Sequence, residues 1–305
     1  MTQTARITSA TSAPPIVVAV DNSPQSRRAL DWAVADATSR SVPLHVLHAL
    51  ETAVTVWSPM MAVPKEIDDE RWMIDAALEH VHQLAPDLQV TSAIATGPAW
   101  AALEAASEHA DSIVMGAHGR GVLGTLVLGS TSLHVANHAR CPVVVVREPS
   151  DDTATHPDGP VVVGFDGSPL SDDALAYAFG AASQRRVPLD LVIAWDTDDL
   201  ATYQLAPALV EEVRTAAVHH RQELAEAAAA PWVEKFPQVE FHVHVTPEPA
   251  ADALVERSRN AALLVVGSRG LGNLRGAVLG SVSAAVLRHA HSPVAVIRPA
   301  DSAQR

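Results

Sequence analysis

Length, composition and charge exclude several classes of protein. The chain has 305 residues, and its 21 lysines and arginines stand against 35 aspartates and glutamates, which gives a net charge of −14. A field of that sign repels polyanions and anionic lipid, so we expect neither nucleic acid nor a membrane as a partner. No apolar run approaches the roughly 20 residues that cross a bilayer, and residues 1–15 lack the apolar region of an export signal. These features predict a cytoplasmic protein.

The first half of the chain predicts five strands that alternate with four helices. Residues 16–20 form an apolar run of the kind found in buried parallel strands. Ser23 is expected to cap a helix that has Pro24 as its first residue and ends near Arg40. Further strands are predicted at 44–50, 90–95, 112–115 and 142–146, and further helices at 66–84, 98–109 and 130–139.

The same pattern then occurs a second time. Asp166 lies 145 residues after Asp21, whereas Gly267 lies 151 residues after Gly116, so six residues are added in or near 196–235. The repeat predicts an α/β fold with two tandem doubly wound domains, each a five-stranded parallel sheet of order 3-2-1-4-5 with helices on both faces. The predicted boundaries are a disordered tail at 1–15, domains at 16–148 and 161–299, and a linker at 149–160.

A glycine-rich stretch separates the predicted fourth strand from the fourth helix in each half. It reads GAHGRGVLGTLVLGST from residue 116 and GSRGLGNLRGAVLGSVS from residue 267, with Gly-x2-Gly-x9-Gly-Ser spacing in both. We expect Gly116 and Gly119 to adopt left-handed backbone angles and to let a ligand approach closely. Gly129 and Ser130 are expected to present free amide hydrogens at a helix N-terminus. This combination predicts an anion site, most naturally for phosphate, in each half.

Ligands of doubly wound sheets bind beyond the carboxyl ends of the strands, where the strand order reverses. In the predicted sheets that point lies between the first and fourth strands, beside Asp21 and Gly116 in one half and Asp166 and Gly267 in the other. A carboxylate next to a phosphate site suits a nucleoside phosphate, because it can accept from ribose hydroxyls or base amines. The plainer alternative is a turn in which Asp21 caps the next helix. The repeated spacing favours the nucleotide.

Other phosphate-binding motifs do not match. The two lysines, Lys65 and Lys235, are not near either glycine-rich stretch, whereas a Walker-type loop and a kinase-like site both need a lysine. The first strands end in VDNSP and FDGSP, so the Gly-x-Gly-x-x-Gly fingerprint of dinucleotide-binding domains is absent.

AVDNSPQSRRALDWA and GFDGSPLSDDALAYA, together with the doubled glycine spacing, resemble a tandem universal stress protein of the ATP-binding type. The resemblance covers nearly all of 16–147 and 161–298. It implies one ATP site per domain, with Asp21 and Asp166 at the adenine or ribose side. It also implies that Ala49 and Ala194, where the family often has valine, line the adenine pocket with a looser contact. The residues implied around ribose and phosphates are Gly116, Gly119, Gly129, Ser130 and Thr131, and Gly267, Gly270, Gly280, Ser281 and Val282.

Three functions stay open on the sequence. The first is a nucleotide-dependent regulator of a stress response that is not an enzyme. The second is a slow ATPase or phosphotransferase. Against this function, His118 in the first half corresponds to Arg269 in the second, and Arg120 corresponds to Leu271. A general base or arginine finger shared by both sites is therefore not evident. The third is a scaffold with incidental nucleotide. The sequence leaves open the protein partner, a homodimer, Mg²⁺ on the phosphates, and the choice among ATP, AMP and a cyclic nucleotide.

Fifteen histidines and one cysteine raise the question of metal binding. His242 and His244 point the same way from one predicted strand, but no carboxylate or cysteine completes a ligand set at recognisable spacing. We therefore expect no metal site. Cys141 is matched by Ser292 in the second half, which favours a buried small side chain. A single cysteine also excludes an internal disulfide.

Overall fold

The computed structural model describes residues 13–50, 67–119, 128–147, 156–195, 207–270 and 279–298. The chain forms two compact units that divide between residues 148 and 149. Most of the predicted tail, the connection at 51–66, and the first seven residues of the predicted linker lie outside the described residues. None of the described helices is both long and apolar enough to span a bilayer.

The first unit is a parallel sheet covered by helices on both faces. Its strands are β1 (Ile16–Ala19), β2 (Leu44–Leu50), β3 (Val90–Thr96), β4 (Ser112–Gly116) and β5 (Val143–Val146). Its helices are α1 (Pro24–Arg40), α2 (Ile67–Leu84), α3 (Ala99–Ala106) and α4 (Ser130–His138). Hydrogen-bonded strands follow the order β3-β2-β1-β4-β5, all parallel, which confirms the predicted fold class.

The second unit repeats this arrangement. Its strands are β6 (Val161–Gly164), β7 (Leu189–Ala194), β8 (Phe241–Thr246), β9 (Leu263–Gly267) and β10 (Val294–Ile297). Its helices are α5 (Pro169–Arg185), α6 (Pro207–Lys235), α7 (Ala250–Arg257) and α8 (Ser281–His289), with a 3₁₀ turn at Ser258–Asn260. The strand order is β10-β9-β6-β7-β8. Numbered within the unit and read from the β8 edge, this is the order 3-2-1-4-5 of the first unit.

The first helix of each unit begins at a serine, as predicted. Ser23 Oγ accepts a hydrogen bond from the amide of Ser26 at 3.1 Å, and Ser168 Oγ accepts from Ser171 at 3.3 Å. A proline follows each serine at the start of the helix. The hydroxyl satisfies an amide that the helix cannot pair, and the proline has no amide to lose. These local contacts therefore determine the direction in which the chain leaves the first strand of each unit.

The core lies between the sheet and the apolar helix faces. The predicted apolar face of α1 is at most 4% exposed at every position, namely Ala29, Leu30, Ala33, Val34 and Ala37. All four residues of β5 and all four of β10 are buried. Removing a valine or isoleucine side chain from water contributes about 1.5 to 3 kcal/mol. Cys141 and Ser292 are 7% and 4% exposed, which confirms the prediction of a buried small side chain.

The helix predicted at 98–109 is shorter than the pattern indicated. It ends at Ala106, because the hydroxyl of Ser107 donates to the carbonyl of Glu104 at 2.6 Å and takes the place of a further helical bond. Ser258 makes the equivalent bond to Val255 in the second unit, at the end of α7.

Candidate functional site

The turn after the first strand of each unit holds a carboxylate in place. Asp21 Oδ1 accepts a hydrogen bond from the amide of Ser23 at 2.9 Å, and Asp166 Oδ1 accepts from Ser168 at 3.0 Å. The plainer alternative is thus partly right, since one carboxylate oxygen stabilises the start of the helix. The other carboxylate oxygen, Oδ2, takes no part in this bond.

That second oxygen faces the glycine-rich stretch. A Cβ atom added to Gly119 would lie 2.5 Å from Asp21 Oδ2, and one added to Gly270 would collide with Asp166 Oδ2. A carboxylate and a glycine from separate parts of the chain are therefore in close contact in both units, as the repeat predicted.

Left-handed backbone angles occur after the aspartates and not where we expected them. The angle φ is 62° at Asn22 and 80° at Gly167, residue types that tolerate this region. Among the described glycines, only Gly167 and Gly97 have positive φ, so the prediction of left-handed angles at Gly116 and Gly119 is wrong. Those two positions need glycine for space and not for backbone conformation.

The helices that follow the glycine-rich stretches begin without a side-chain cap in the described structure. Gly129 and Gly280 are the N-cap residues of α4 and α8. The first backbone bond of α4 runs from Leu133 N to Gly129 O at 3.0 Å, so the first-turn amides, beginning with Ser130, point out of the helix end. The amide of Gly129 is not free, contrary to the prediction, because it donates to Ala117 O at 2.8 Å. Gly280 makes the equivalent bond at 2.9 Å.

A serine in the first turn of each of these helices anchors it to the end of the fourth strand. Ser132 Oγ donates to Gly116 O at 2.9 Å, and Ser283 Oγ donates to Gly267 O at 2.6 Å. These serines are not among the predicted site residues, although they stand at matched positions two residues after the Gly-Ser pair. The bond holds the helix N-terminus against the strand end, where a phosphate would bind.

A cavity of about 520 Å³ opens at this place in the first unit. It lies within the range of cavities that hold small ligands. All seven residues predicted for the first site line it: Asp21, Ala49, Gly116, Gly119, Gly129, Ser130 and Thr131. The cavity is also lined by His48, Glu70 and His118, which the sequence analysis did not assign to a site.

The second unit has a smaller cavity, of about 260 Å³, at the equivalent place. All seven residues predicted for the second site line it: Asp166, Ala194, Gly267, Gly270, Gly280, Ser281 and Val282. Phe165 and Arg269 also contribute to its wall. Burial, and then the charges of Asp173 and Asp166, raise the pKa of Asp172 in the first turn of α5. The carboxyl groups of Asp166 and Asp173 are therefore close enough to Asp172 to interact with it electrostatically near the start of α5.

A buried polar pair lines the first cavity. His48 and Glu70 are 1% and 6% exposed, and His48 Nε2 lies 2.6 Å from Glu70 Oε2. The other ring nitrogen, Nδ1, lies 2.7 Å from the carbonyl of Val20, which can only accept, so Nδ1 carries a proton. A second proton must lie between Nε2 and the carboxylate. The pair therefore has no net charge, whichever partner holds that proton.

The two strand histidines lie outside these cavities. His242 Nδ1 and His244 Nε2 each lie 3.3 Å from Asp190 Oδ1. Asp190 stands on the neighbouring strand, so a carboxylate lies beside these histidines at a position that sequence spacing does not reveal. Within the described parts of the chain, no three histidine, cysteine or acidic side chains are placed to hold a metal ion.

The fold and the paired cavities define a tandem, doubly wound α/β protein. The sequence matches the model of the Universal stress protein family over residues 13–147 and 159–298, so the chain belongs to that family and contains two of its domains.

Relatives of similar length support this assignment. A universal stress protein of Mycolicibacterium smegmatis is 36% identical over 295 residues, which cover 93% of this chain and 97% of that protein. A universal stress protein of Mycobacterium tuberculosis H37Rv is 38% identical over 294 residues, covering 93% and 96%. The crystal structure of a universal stress protein from Archaeoglobus fulgidus shares the fold, with a TM-score of 0.63, 22% identity, and coverage of 93% of this chain and 98% of that one.

Proposed function

We propose that this protein is an adenine-nucleotide-binding regulator with one site in each domain, and that it is not an enzyme. The observation that carries the proposal is the same in both domains: a carboxylate faces a glycine at which a side chain has no room, beside a helix N-terminus without a side-chain cap. ATP is the ligand that the family resemblance implies. The proposal includes action in the cytoplasm, with nucleotide occupancy changing the surface offered to a protein partner during stress.

The chemistry of the site suits a nucleoside phosphate. The first-turn amides of α4 and α8, beginning with Ser130 and Ser281, donate to phosphate oxygens at the positive end of the helix dipole. Each hydrogen bond to a charged group contributes about 1.5 to 3 kcal/mol, so several can hold a phosphate chain without lysine. Asp21 and Asp166 accept from ribose hydroxyls or from the base. A Mg²⁺ ion bound to the phosphates would lower their charge and so reduce repulsion from these carboxylates.

A binding role without turnover is favoured because the polar residues of the two sites do not match. The residue directly before the second glycine is His118 in one domain and Arg269 in the other, and each lines its cavity. A general base or an arginine finger common to both sites is therefore not evident.

Isothermal titration of the nucleotide-free protein with ATP, and separately with AMP, tests the proposal. Saturable binding of an adenine nucleotide, without phosphate release above background over hours, is the expected result. Absence of binding by both nucleotides would remove the proposal. Turnover that disappears when His118 or Arg269 is changed would instead favour the ATPase.

A further inference from the structure

The two cavities share the aspartate and the glycines but differ at the end lined by the first and second strands. His48 on β2 lines the first cavity, and Ile193 stands at the matched position on β7, 145 residues later. Glu70 on α2 reaches the first cavity, whereas no described residue of α6 lines the second. Among the described residues, the first domain thus has a polar histidine–glutamate pair at this end of its cavity and the second domain does not.

The fold itself does not need this polar pair. Ile193 is 5% exposed, so the second domain packs an apolar side chain in the same place. Burying an imidazole and a carboxylate is costly unless both are well hydrogen-bonded, and apolar replacements of buried ion pairs are often as stable. The first domain thus has a buried polar pair that lines its cavity and that the second domain lacks. We interpret this pair as part of a ligand site.

The size of the cavities agrees with this difference. The first cavity is about 520 Å³ and the second about 260 Å³. Phe165 lines the second cavity at the position that Val20 takes in the first. A phenylalanine ring is larger than a valine side chain, which agrees with the smaller volume of the second cavity.

We infer that Glu70 recognises the base in domain 1 by accepting a hydrogen bond from its amino group, the 6-amino group of adenine in the ligand proposed above. His48 is a positioning residue, since its bonds to Val20 O and Glu70 Oε2 hold the carboxylate against the cavity. The aspartate of each site is assigned here to the ribose hydroxyls, so domain 2 binds nucleotide without a hydrogen bond to the 6-amino group. The inference rests on the proposed function, and it divides the two sites into one that selects its base and one that does not.

The probe is purine riboside triphosphate, which is ATP without the 6-amino group. Binding is measured in the full chain with the other site weakened. Gly270→Val weakens domain 2 so that domain 1 is measured, and Gly119→Val weakens domain 1 so that domain 2 is measured. A site built to pair a donor discriminates against an analogue that lacks it, because the hydrogen bond from that donor is lost. We expect the missing amino group to weaken binding about tenfold or more in domain 1 and less than about twofold in domain 2.

Variants of the pair test its role directly. In the Gly270→Val protein, the double change His48→Ile with Glu70→Leu replaces the polar pair of domain 1 by apolar side chains, as Ile193 does at the position that matches His48. ATP affinity is expected to fall to that of purine riboside triphosphate, whose affinity stays unchanged, with the melting temperature recorded as a check on folding. Glu70→Gln alone keeps the shape of the side chain and serves if the double variant does not fold, and it should reduce the discrimination. His45→Ile is the matched control, because His45 lies on the same strand but bonds to Thr91.

The outcomes separate the two levels of the proposal. Equal discrimination in both domains, or discrimination that survives in the variants of the pair, overturns the inference while adenine-nucleotide binding stands. Tighter binding of GTP than of ATP by domain 1 overturns the assignment of adenine, because guanine also offers N–H groups to a carboxylate. No binding of any nucleotide by the unmodified chain overturns the proposed function itself.

Discussion

At Gly119, the space that a side chain would need is already taken by a carboxylate. Its Cβ would lie 2.5 Å from Asp21 Oδ2, a separation that cannot persist unless Asp21 moves. Since Asp21 Oδ1 is tied to the amide of Ser23, the carboxylate cannot turn away without losing that bond. Gly270 and Asp166 are related in the same way in the second domain. A substitution at either glycine should therefore act on the site through its aspartate.

We predict that Gly119→Val and Gly270→Val each weaken nucleotide binding about tenfold or more in their own domain and leave the other domain unchanged. Both glycines are exposed, so the fold should be retained. Titration calorimetry measures the affinity, and circular dichroism checks the fold. Gly180→Ala is the control, because a Cβ on that helical glycine meets nothing within 4 Å. If both valine variants failed to fold, the glycines would be structural turns and not parts of a site.

Cys141 provides a test of the core that is independent of nucleotide. Burial, and then the charge of Asp111, raise the pKa of its thiol to about 12 from the ordinary value of 9.0. Between these values the unfolded chain loses the thiol proton while the folded chain keeps it, so stability falls as pH rises through this window.

We predict that the unfolding free energy of the native protein, relative to Cys141→Ser, falls by about 1 kcal/mol between pH 8 and pH 10. Serine is a suitable replacement because Ser292 is buried at the matched position. Urea unfolding at the two pH values measures the difference. A thiol that reacted freely with a maleimide in the folded protein at pH 8, or a difference that did not change with pH, would contradict the buried thiol.

At the scale of elements, the start of each domain depends on one helix cap. Ser23 and Ser168 are both buried and both accept an amide of the first turn. The same turn carries the aspartate of the site, so cap and site are built from one short segment. Loss of the cap should lower stability and disturb the direction of the aspartate.

We predict that Ser23→Ala and Ser168→Ala each lower the unfolding free energy by about 1 kcal/mol. Urea unfolding measures the change. Ser92→Ala on the exposed side of β3 is the control and should have little effect. Caps that could be removed without loss of stability would show that packing alone defines the start of these helices.

Local patterns predicted the elements well where a residue acts on its own neighbours. Ser23 with Pro24 fixed the start of α1, and the apolar face of that helix is buried as its spacing indicated. The same reasoning overestimated α3, because the hydroxyl of Ser107 competes for a helical carbonyl. It also assigned left-handed angles to Gly116 and Gly119, since a glycine in a sequence does not show whether it supplies conformation or space.

At the scale of the whole molecule, the repeat located what the two domains share and could not show where they differ. Each predicted residue of both sites lines a cavity, because the same spacing places the same backbone in both domains. The contact of His48 with Glu70 joins a strand to a helix across 22 residues of sequence, and Asp190 reaches His242 from a neighbouring strand. Such contacts depend on packing, and no local pattern reveals them.

The most direct test of the account is the number of adenine nucleotides bound per chain. Equilibrium dialysis at the lowest ATP concentration that fills both sites of the unmodified protein is predicted to give about two nucleotides per chain for that protein, fewer for Gly119→Val and for Gly270→Val, and fewest for the double variant. Binding that is absent from the unmodified protein, or that is undiminished in the folded double variant, would contradict the claim that the paired glycine and aspartate sites hold the nucleotide.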